Sequence, residues 1–175
     1  MRRAVFLDRD GVLSRAIVRN GKPFAPSSDA DFEILPGVHD ALCRLRAAGF
    51  YLVVVTNQPE VARGTLAPAV LDRMHARLSR DLPIDDIRVC PHDDADQCAC
   101  RKPRPGLLEA AAGDAGLSLG ESVMVGDRWR DIEAGRQAGC TTVFIDHGYD
   151  ERRPDQPDAI VRSMSEAADW ILSRG

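Results

Sequence analysis

The sequence predicts an α/β fold, in which a mostly parallel β-sheet has helices on both faces. Short apolar runs alternate along the chain with segments whose apolar residues recur at helical spacing, a pattern typical of parallel strands joined by helices. Several runs end abruptly in polar residues, as parallel strands do at a ligand-binding edge. The 175 residues suit one domain spanning positions 1–175, because a second core would be cramped at this length.

Six apolar runs are the predicted strands, namely residues 4–7, 51–55, 87–89, 122–125, 141–145 and, less distinctly, 159–161. Apolar stripes with the spacing i, i+3, i+4, i+7 predict helices that include Val38, Leu71, Leu107 and Met164. Residues 14–32 have little periodicity. We expect an irregular loop there, either a flap that faces the substrate or a passive surface loop.

The composition is that of an ordinary globular protein, with 44% hydrophobic and 29% charged residues. The net charge is −4 and no basic block occurs, so we do not expect nucleic acid as a partner. The apolar run before Asp8 is too short for a secretory signal, and no run reaches transmembrane length. We therefore expect a cytoplasmic monomer that acts on a small molecule and not at a membrane.

Polar side chains follow four of the predicted strands, at the edge where open α/β sheets bind ligands. Carboxylates follow the first and fourth strands, and amide, hydroxyl and basic groups follow the second and third. These groups are suited to a phosphate or a hard cation: Asp8, Asp10, Thr56, Asn57, Gln58, Arg101, Lys102, Asp127 and Asp131. Their convergence predicts an active site for phosphate chemistry.

Each of these groups has a chemical task in the hydrolysis of a phosphate ester. Asp8 can attack phosphorus and form an aspartyl-phosphate, and Asp10 can move the proton of the leaving oxygen and then of water. Mg²⁺ prefers oxygen ligands, which Asp8, Asp127 and a backbone carbonyl near Asp10 can supply. Thr56, backbone amides near Asn57 and the Lys102 ammonium can neutralise charge on the phosphoryl oxygens.

A second group of residues predicts a structural zinc site. Cys90, His92, Cys98 and Cys100 provide three thiolates and one imidazole, which is a complete tetrahedral set with no open position. Zn²⁺ bound there would staple the loop and not catalyse. The alternatives are unligated thiols with an exposed His92, or a strained C-x-C disulfide. Five cysteines, an odd number, do not indicate a disulfide framework.

The motifs F-L-D-R-D-G-V at residues 6–12, T-N-Q at 56–58, K-P at 102–103 and G-D-x-x-x-D at 126–131 together resemble the haloacid dehalogenase superfamily. The resemblance covers essentially the whole chain. It implies a Rossmann-like sheet, Asp8 as the nucleophile and a requirement for Mg²⁺. An aspartate at the second position, here Asp10, accompanies the phosphatases of that superfamily. No insertion of cap size follows Asp10 or separates Thr56 from Lys102, so we expect no large cap domain.

The stretch C-P-H, five residues, C-x-C-R-K-P resembles a subgroup that contains heptose bisphosphate phosphatases and histidinol-phosphate phosphatase domains. The resemblance implies that Arg101 helps to recognise the substrate and that Arg128 stands where a lysine is usual. The loop Q-P-E-V-A-R-G, which holds Gln58 and Arg63, is similar to a heptose-phosphatase loop that usually reads Q-S-G-I-A-R-G. The predicted substrate-binding residues are Asn57, Gln58, Arg63, Arg101 and Arg128.

The resulting expectation is a Mg²⁺-dependent phosphomonoesterase that removes the 7-phosphate of a heptose 1,7-bisphosphate. Histidinol phosphate or another small sugar phosphate is the alternative substrate. An inactive, zinc-stabilised binding module would be expected to lack one of Asp8, Asp10, Lys102 or Asp127, and all four are present.

Overall fold

A computed structural model describes residues 1–175. Eight strands occur: β1 (Ala4–Leu7), β2 (Ile17–Arg19), β3 (Lys22–Phe24), β4 (Tyr51–Asn57), β5 (Asp86–Cys90), β6 (Val123–Gly126), β7 (Thr141–Ile145) and β8 (Ala159–Val161). Six α-helices connect them: α1 (Val38–Ala47), α2 (Pro59–Ala62), α3 (Pro68–Asp81), α4 (Gly106–Ala115), α5 (Trp129–Gln137) and α6 (Met164–Ser173). All six predicted runs form strands, and the predicted fold class is confirmed.

Six of the strands form one parallel sheet in the order β5-β4-β1-β6-β7-β8. After β1, the chain adds β4 and β5 on one side of β1 and then β6, β7 and β8 on the other side. Leu7, the last residue of β1, lies beside Val54 of β4 and Val125 of β6. The residues that follow these three strands therefore meet at one edge of the sheet, where the strand order reverses and α/β sheets form their binding crevices.

The sheet separates two apolar cores, because successive side chains of a strand point to opposite faces. From β1, Val5 and Leu7 join a core of 26 buried residues to which α1, α3 and α6 contribute their apolar stripes. Ala4 and Phe6 join a core of 13 residues under α4 and α5. Helices on both faces therefore hold β1 rigidly, and β1 carries the aspartate pair at its end.

Residues 14–32 differ from the expected irregular loop. The antiparallel strands β2 and β3 form a hairpin, and its two turn residues, Asn20 and Gly21, have φ values of 49° and 74°. Positive φ at both positions is typical of a type I′ turn, which Asn-Gly favours. The hairpin packs little apolar surface, since Val18 is 55% and Phe24 is 44% exposed. The periodicity that identifies a half-buried strand is therefore missing. No helix in the structure has both the length and the apolar character that crossing a membrane requires.

Candidate active site

The side chain of Lys102 lies at the centre of the edge where β1, β4 and β6 end. Its Nζ donates to Asp8 Oδ1 at 2.9 Å, to Asp131 Oδ1 at 2.7 Å and to the carbonyl of Val55 at 2.8 Å. These three contacts use all the protons of the ammonium group. Burial lowers the pKa of Lys102, but the Asp131 and Asp8 carboxylates outweigh burial and raise it overall. Lys102 therefore presents a fixed positive charge beside Asp8.

Asp131 is a site residue whose role the sequence did not identify, although it belongs to a recognised motif. Its second oxygen accepts from the backbone N–H of Arg128 at 3.0 Å, so the same carboxylate caps α5 and holds Lys102. Burial and the charge of Asp8 raise the pKa of Asp131 to about 6, against the opposing effect of Lys102. A Cβ on Gly126 would overlap the Asp131 side chain, so this position needs glycine.

Asp8, Asp127 and Asp131 form a group of carboxylates suited to a hard cation. Their ligand oxygens lie within 4.8 Å of one another. Both oxygens of Asp127 are buried without a well-formed hydrogen bond, although the nearby Tyr149 hydroxyl acts to lower the pKa of this carboxyl. A buried carboxylate of this kind is poorly compensated unless a cation binds. Burial and the charges of Asp8 and Asp131 raise the pKa of Asp127 well above its usual range. A divalent cation would offset this repulsion, so Asp8 and Asp127 fit the predicted magnesium site, whereas Asp131, which was not predicted as a ligand, is bound to Lys102.

The close approach of this carboxylate group also explains a glycine directly after Asp10. Gly11 has φ of 86°, and a Cβ there would overlap the carboxylate of Asp127. The turn after β1 can therefore pass Asp127 only because residue 11 has no side chain.

Asp10 lines the cavity, but both of its carboxylate oxygens are held from the protein side. Arg9 donates to Oδ1 and Oδ2, each at 3.0 Å, while Gln58 Nε2 donates to Oδ2 at 3.0 Å and Ser14 Oγ to Oδ1 at 3.2 Å. Arg9 and Ser14 were not predicted as site residues. The only sequence signal for Arg9 is its place between two aspartates that the sequence predicts to be catalytic.

Thr56, Asn57 and Gln58 lie at or beneath the floor of the cavity. Gln58 and Thr56 are 0% and 1% exposed, lie outside the cavity lining, and are joined by a hydrogen bond of 2.9 Å. Asn57 exchanges two hydrogen bonds with the backbone of Lys102, at 3.0 Å and 3.1 Å. The structure thus gives Gln58 a contact with Asp10 and Asn57 a contact with Lys102, whereas the sequence predicted that both bind substrate.

A cavity of about 310 Å³ opens over Asp8 and Asp10, and its walls carry both signs of charge. Three arginines predicted to bind substrate line it, and each is paired with an acid: Arg63 with Asp93 at 2.6 Å, Arg101 with Asp94 at 2.7 Å and Arg128 with Glu151 at 2.6 Å. Lys22 and Phe24 of the hairpin also line it, together with Glu60 and Arg130. The hairpin therefore faces the site. Glu151, the partner of Arg128, was not indicated by any sequence pattern.

The predicted zinc ligands come together outside the cavity lining, next to Arg101 and Lys102, which do line it. Cys100 Sγ lies 3.0 Å from Cys90 Sγ and 3.3 Å from Cys98 Sγ, and His92 Nδ1 lies 3.4 Å from Cys100 Sγ. A tetrahedral zinc site with Zn–S bonds of about 2.3 Å has S–S edges of about 3.8 Å, so the three sulfur atoms, 3.0–3.5 Å apart, would move slightly outward around the ion. All three cysteines are free, so the donor set fits a structural Zn²⁺. Arg101 and Lys102 follow Cys100 directly in the sequence.

Comparison with known proteins identifies the class to which this fold and site belong. The family model described as HAD-hydrolase-like matches residues 99–167. The D-glycero-D-manno-heptose-1,7-bisphosphate 7-phosphatase of Thermosynechococcus vestitus is 34% identical, over 98% of this chain and 96% of that protein. The chain therefore belongs to the HAD-like hydrolases, and the resemblance to the haloacid dehalogenase superfamily is confirmed.

Two further relatives are similar over nearly the whole chain. The D-glycero-beta-D-manno-heptose-1,7-bisphosphate 7-phosphatase of Escherichia coli K12 is 36% identical, over 97% of this chain and 88% of that protein. The crystal structure of D,D-heptose 1,7-bisphosphate phosphatase from B. bronchiseptica, complexed with magnesium and phosphate, superposes with a TM-score of 0.82 and 29% identity, over 99% of both chains. The predicted enzyme class, a phosphatase, is confirmed.

Proposed function

We propose that this phosphatase removes the 7-phosphate of D-glycero-D-manno-heptose 1,7-bisphosphate through an aspartyl-phosphate on Asp8. The observation that carries the proposal is the buried contact of Lys102 with Asp8 at 2.9 Å, with the bare carboxylate of Asp127 alongside. Two relatives that match 97–98% of the chain are named as heptose 1,7-bisphosphate 7-phosphatases, which supports this choice of substrate.

The contacts of Asp8 support different roles for its two oxygens. Oδ1 is bound to Lys102, which leaves Oδ2 to attack phosphorus as the bond from phosphorus to the sugar oxygen breaks. Asp10 gives its proton to that leaving oxygen, and the sugar 1-phosphate departs. In the second step Asp10 takes a proton from water, whose oxygen attacks phosphorus and releases phosphate from Asp8. The positive charge of Lys102 stabilises the phosphoryl oxygens in both steps.

We assign two metals to the residues that fit them. Mg²⁺, held by Asp8, Asp127 and the backbone carbonyl of Asp10, would supply positive charge for the transferring phosphoryl group. Zn²⁺, held by Cys90, His92, Cys98 and Cys100, would fix the segment that presents Arg101 and Lys102. Three clustered thiolates suit a reducing compartment, so we place the reaction in the cytoplasm, with the protein acting as a monomer.

The charges around the cavity support a substrate with two phosphates. Arg63, Arg101 and Arg128 line the walls beyond Asp8 and Asp10, where a second phosphate would lie. Histidinol phosphate is the second candidate, because Glu60 lines the same cavity and its Oε2 is buried without a hydrogen-bond donor. An ammonium group of the ligand would supply that donor.

A phosphate-release assay with Mg²⁺ tests the proposal on four substrates: both anomers of the heptose 1,7-bisphosphate, fructose 1,6-bisphosphate and histidinol phosphate. We expect the kcat/KM of one heptose anomer to exceed the other substrates by about tenfold or more, with heptose 1-phosphate as the product. Asp8→Asn is the control and should abolish release. A preference for histidinol phosphate would overturn the substrate, and the absence of release from all four substrates would favour a binding module.

A further inference from the structure

Arg9 is the largest side chain in the protein that is completely buried, at 0% exposure. A buried guanidinium needs a charged partner and hydrogen-bond acceptors. Its Nε and Nη2 contact the two oxygens of Asp10, each at 3.0 Å, and its charge lies 5.5 Å from the centre of the Phe32 ring. A two-point contact between planar groups fixes the rotation of the carboxylate as well as its position.

The outer side of the same guanidinium is held by helix α3. Arg9 Nη1 lies 3.1 Å from His75 Nε2 and 3.9 Å from the sulfur of Met74. A guanidinium has donors and no acceptor, so Nε2 of His75 must accept and the imidazole must be neutral with its proton on Nδ1. Burial and the charge of Arg9 lower the pKa of His75 to about 4, which agrees with the neutral form.

We propose that Arg9 and His75 are positioning residues for the proton transfer by Asp10: His75 fixes the guanidinium, and the guanidinium fixes the carboxylate. The inference rests on the acid–base role given to Asp10 in the proposed function. Neither residue lines the cavity, so neither touches the substrate. Small errors in the placement of a proton donor have large kinetic effects, and the buried contact with α3 prevents them here.

Two aryl phosphates of similar size measure this effect without knowledge of the natural substrate. Phenyl phosphate releases phenolate, whose conjugate acid has a pKa of about 10, as for tyrosine. That leaving group needs a proton. The p-nitrophenolate released from p-nitrophenyl phosphate is more acidic and needs less help. The ratio of kcat/KM for the two substrates therefore reports proton donation, whereas general damage to the fold lowers both values together.

Four variants form the experiment, each assayed with Mg²⁺ below its melting temperature. Asp10→Asn is the reference and should lower kcat/KM for phenyl phosphate by about 10²–10⁴-fold, with a smaller loss for p-nitrophenyl phosphate. His75→Phe, which lacks an acceptor, should change the ratio in the same direction by about tenfold. His75→Gln supplies an amide oxygen and should restore the wild-type ratio. Arg9→Lys keeps the charge without the planar fork and should behave like His75→Phe.

The outcomes separate this inference from the mechanism on which it rests. A wild-type ratio in both His75→Phe and Arg9→Lys, or an equal change in His75→Phe and His75→Gln, would overturn the positioning role while the role of Asp10 stands. An unchanged ratio in Asp10→Asn would instead overturn the role of Asp10, and the positioning role with it.

Discussion

Lys102 and Asp131 form an ion pair of 2.7 Å in which both side chains are at most 3% exposed. Asp131 lies on α5 and Lys102 precedes α4, so the pair joins two elements that pack on the same face of the sheet. The ion pair also has an electrostatic effect on the site, because Lys102 contacts Asp8 as well. The positive charge beside Asp8 therefore depends on a third residue, Asp131, which lines the same cavity.

Asp131→Asn should lower both activity and stability. The amide can still accept from Lys102 or from the backbone of Arg128, but it no longer balances the buried ammonium. We expect a loss of about 10–100-fold in kcat and about 1–3 kcal/mol in the free energy of unfolding. Asp155→Asn makes the same chemical change at an acid that is 71% exposed and pairs with Arg136. The free energy of unfolding of that control should lie within about 0.5 kcal/mol of the wild-type value. Equal effects in both variants would contradict the role of Asp131.

Mg²⁺ should stabilise the protein through Asp127. The buried carboxylates of Asp8 and Asp127 repel each other, so Asp127→Asn should raise the melting temperature when a chelator removes divalent cations. At about 100 times its dissociation constant, Mg²⁺ should stabilise the wild type by about 2.7 kcal/mol. Asp127→Asn should lose that gain and also lose activity. Thermal melts with and without Mg²⁺ measure both effects, and an equal Mg²⁺ response in the two proteins would place the cation elsewhere.

Removal of one thiolate should release zinc. Cys98→Ser should purify with less than one equivalent of Zn²⁺, melt at a lower temperature and show a higher KM, because the loop that ends in Arg101 and Lys102 is no longer stapled. Cys43→Ser is the matched control, since Cys43 is exposed and lies outside the cluster. Metal analysis by mass spectrometry decides the question. Full zinc content and an unchanged melting temperature in Cys98→Ser would show that the cluster is not a zinc site.

His75 should make the protein less stable in mild acid. Its pKa falls from 6.5 to about 4 on folding, so between these values the unfolded chain binds a proton that the folded one does not. His75 does not change the free energy of unfolding above pH 6.5, where it is neutral in both states. As the pH falls from 6.5 to 4, protonation of the unfolded chain lowers the free energy of unfolding by up to about 2–3 kcal/mol. Urea unfolding from pH 7 to pH 4 measures this loss. His75→Gln should lose less stability over that range, whereas His39→Gln, at an exposed histidine, should follow the wild type.

The sequence predicts the parts of the site that depend on single strands. Asp8, Thr56 and Asp127 each follow an apolar run, and the zinc ligands lie within eleven residues, so local patterns are enough to identify them. Contacts between distant segments leave no such pattern. Arg9 meets His75 across 66 residues, and Arg128 meets Glu151 at a wall that forms only when the sheet is assembled.

The hairpin was missed for a different reason. Its strands are three residues long and only Pro23 of the six residues is buried, so burial imposes too short an alternation to recognise in the sequence. The Asn20-Gly21 pair is the remaining signal, and it indicates a turn only if the flanking residues are recognised as strands.

The paired arginines of the cavity have a consequence for affinity. Arg63, Arg101 and Arg128 already have carboxylate partners, so a phosphate that binds them must exchange places with an acid and does not simply gain a cation. The net gain is the difference between two ion pairs, and it grows with the charge of the incoming group. We therefore expect a dianionic phosphate to displace Glu151 from Arg128 and a neutral hydroxyl to leave that ion pair in place. On this expectation the wall selects ligands by charge before any bond to phosphorus breaks.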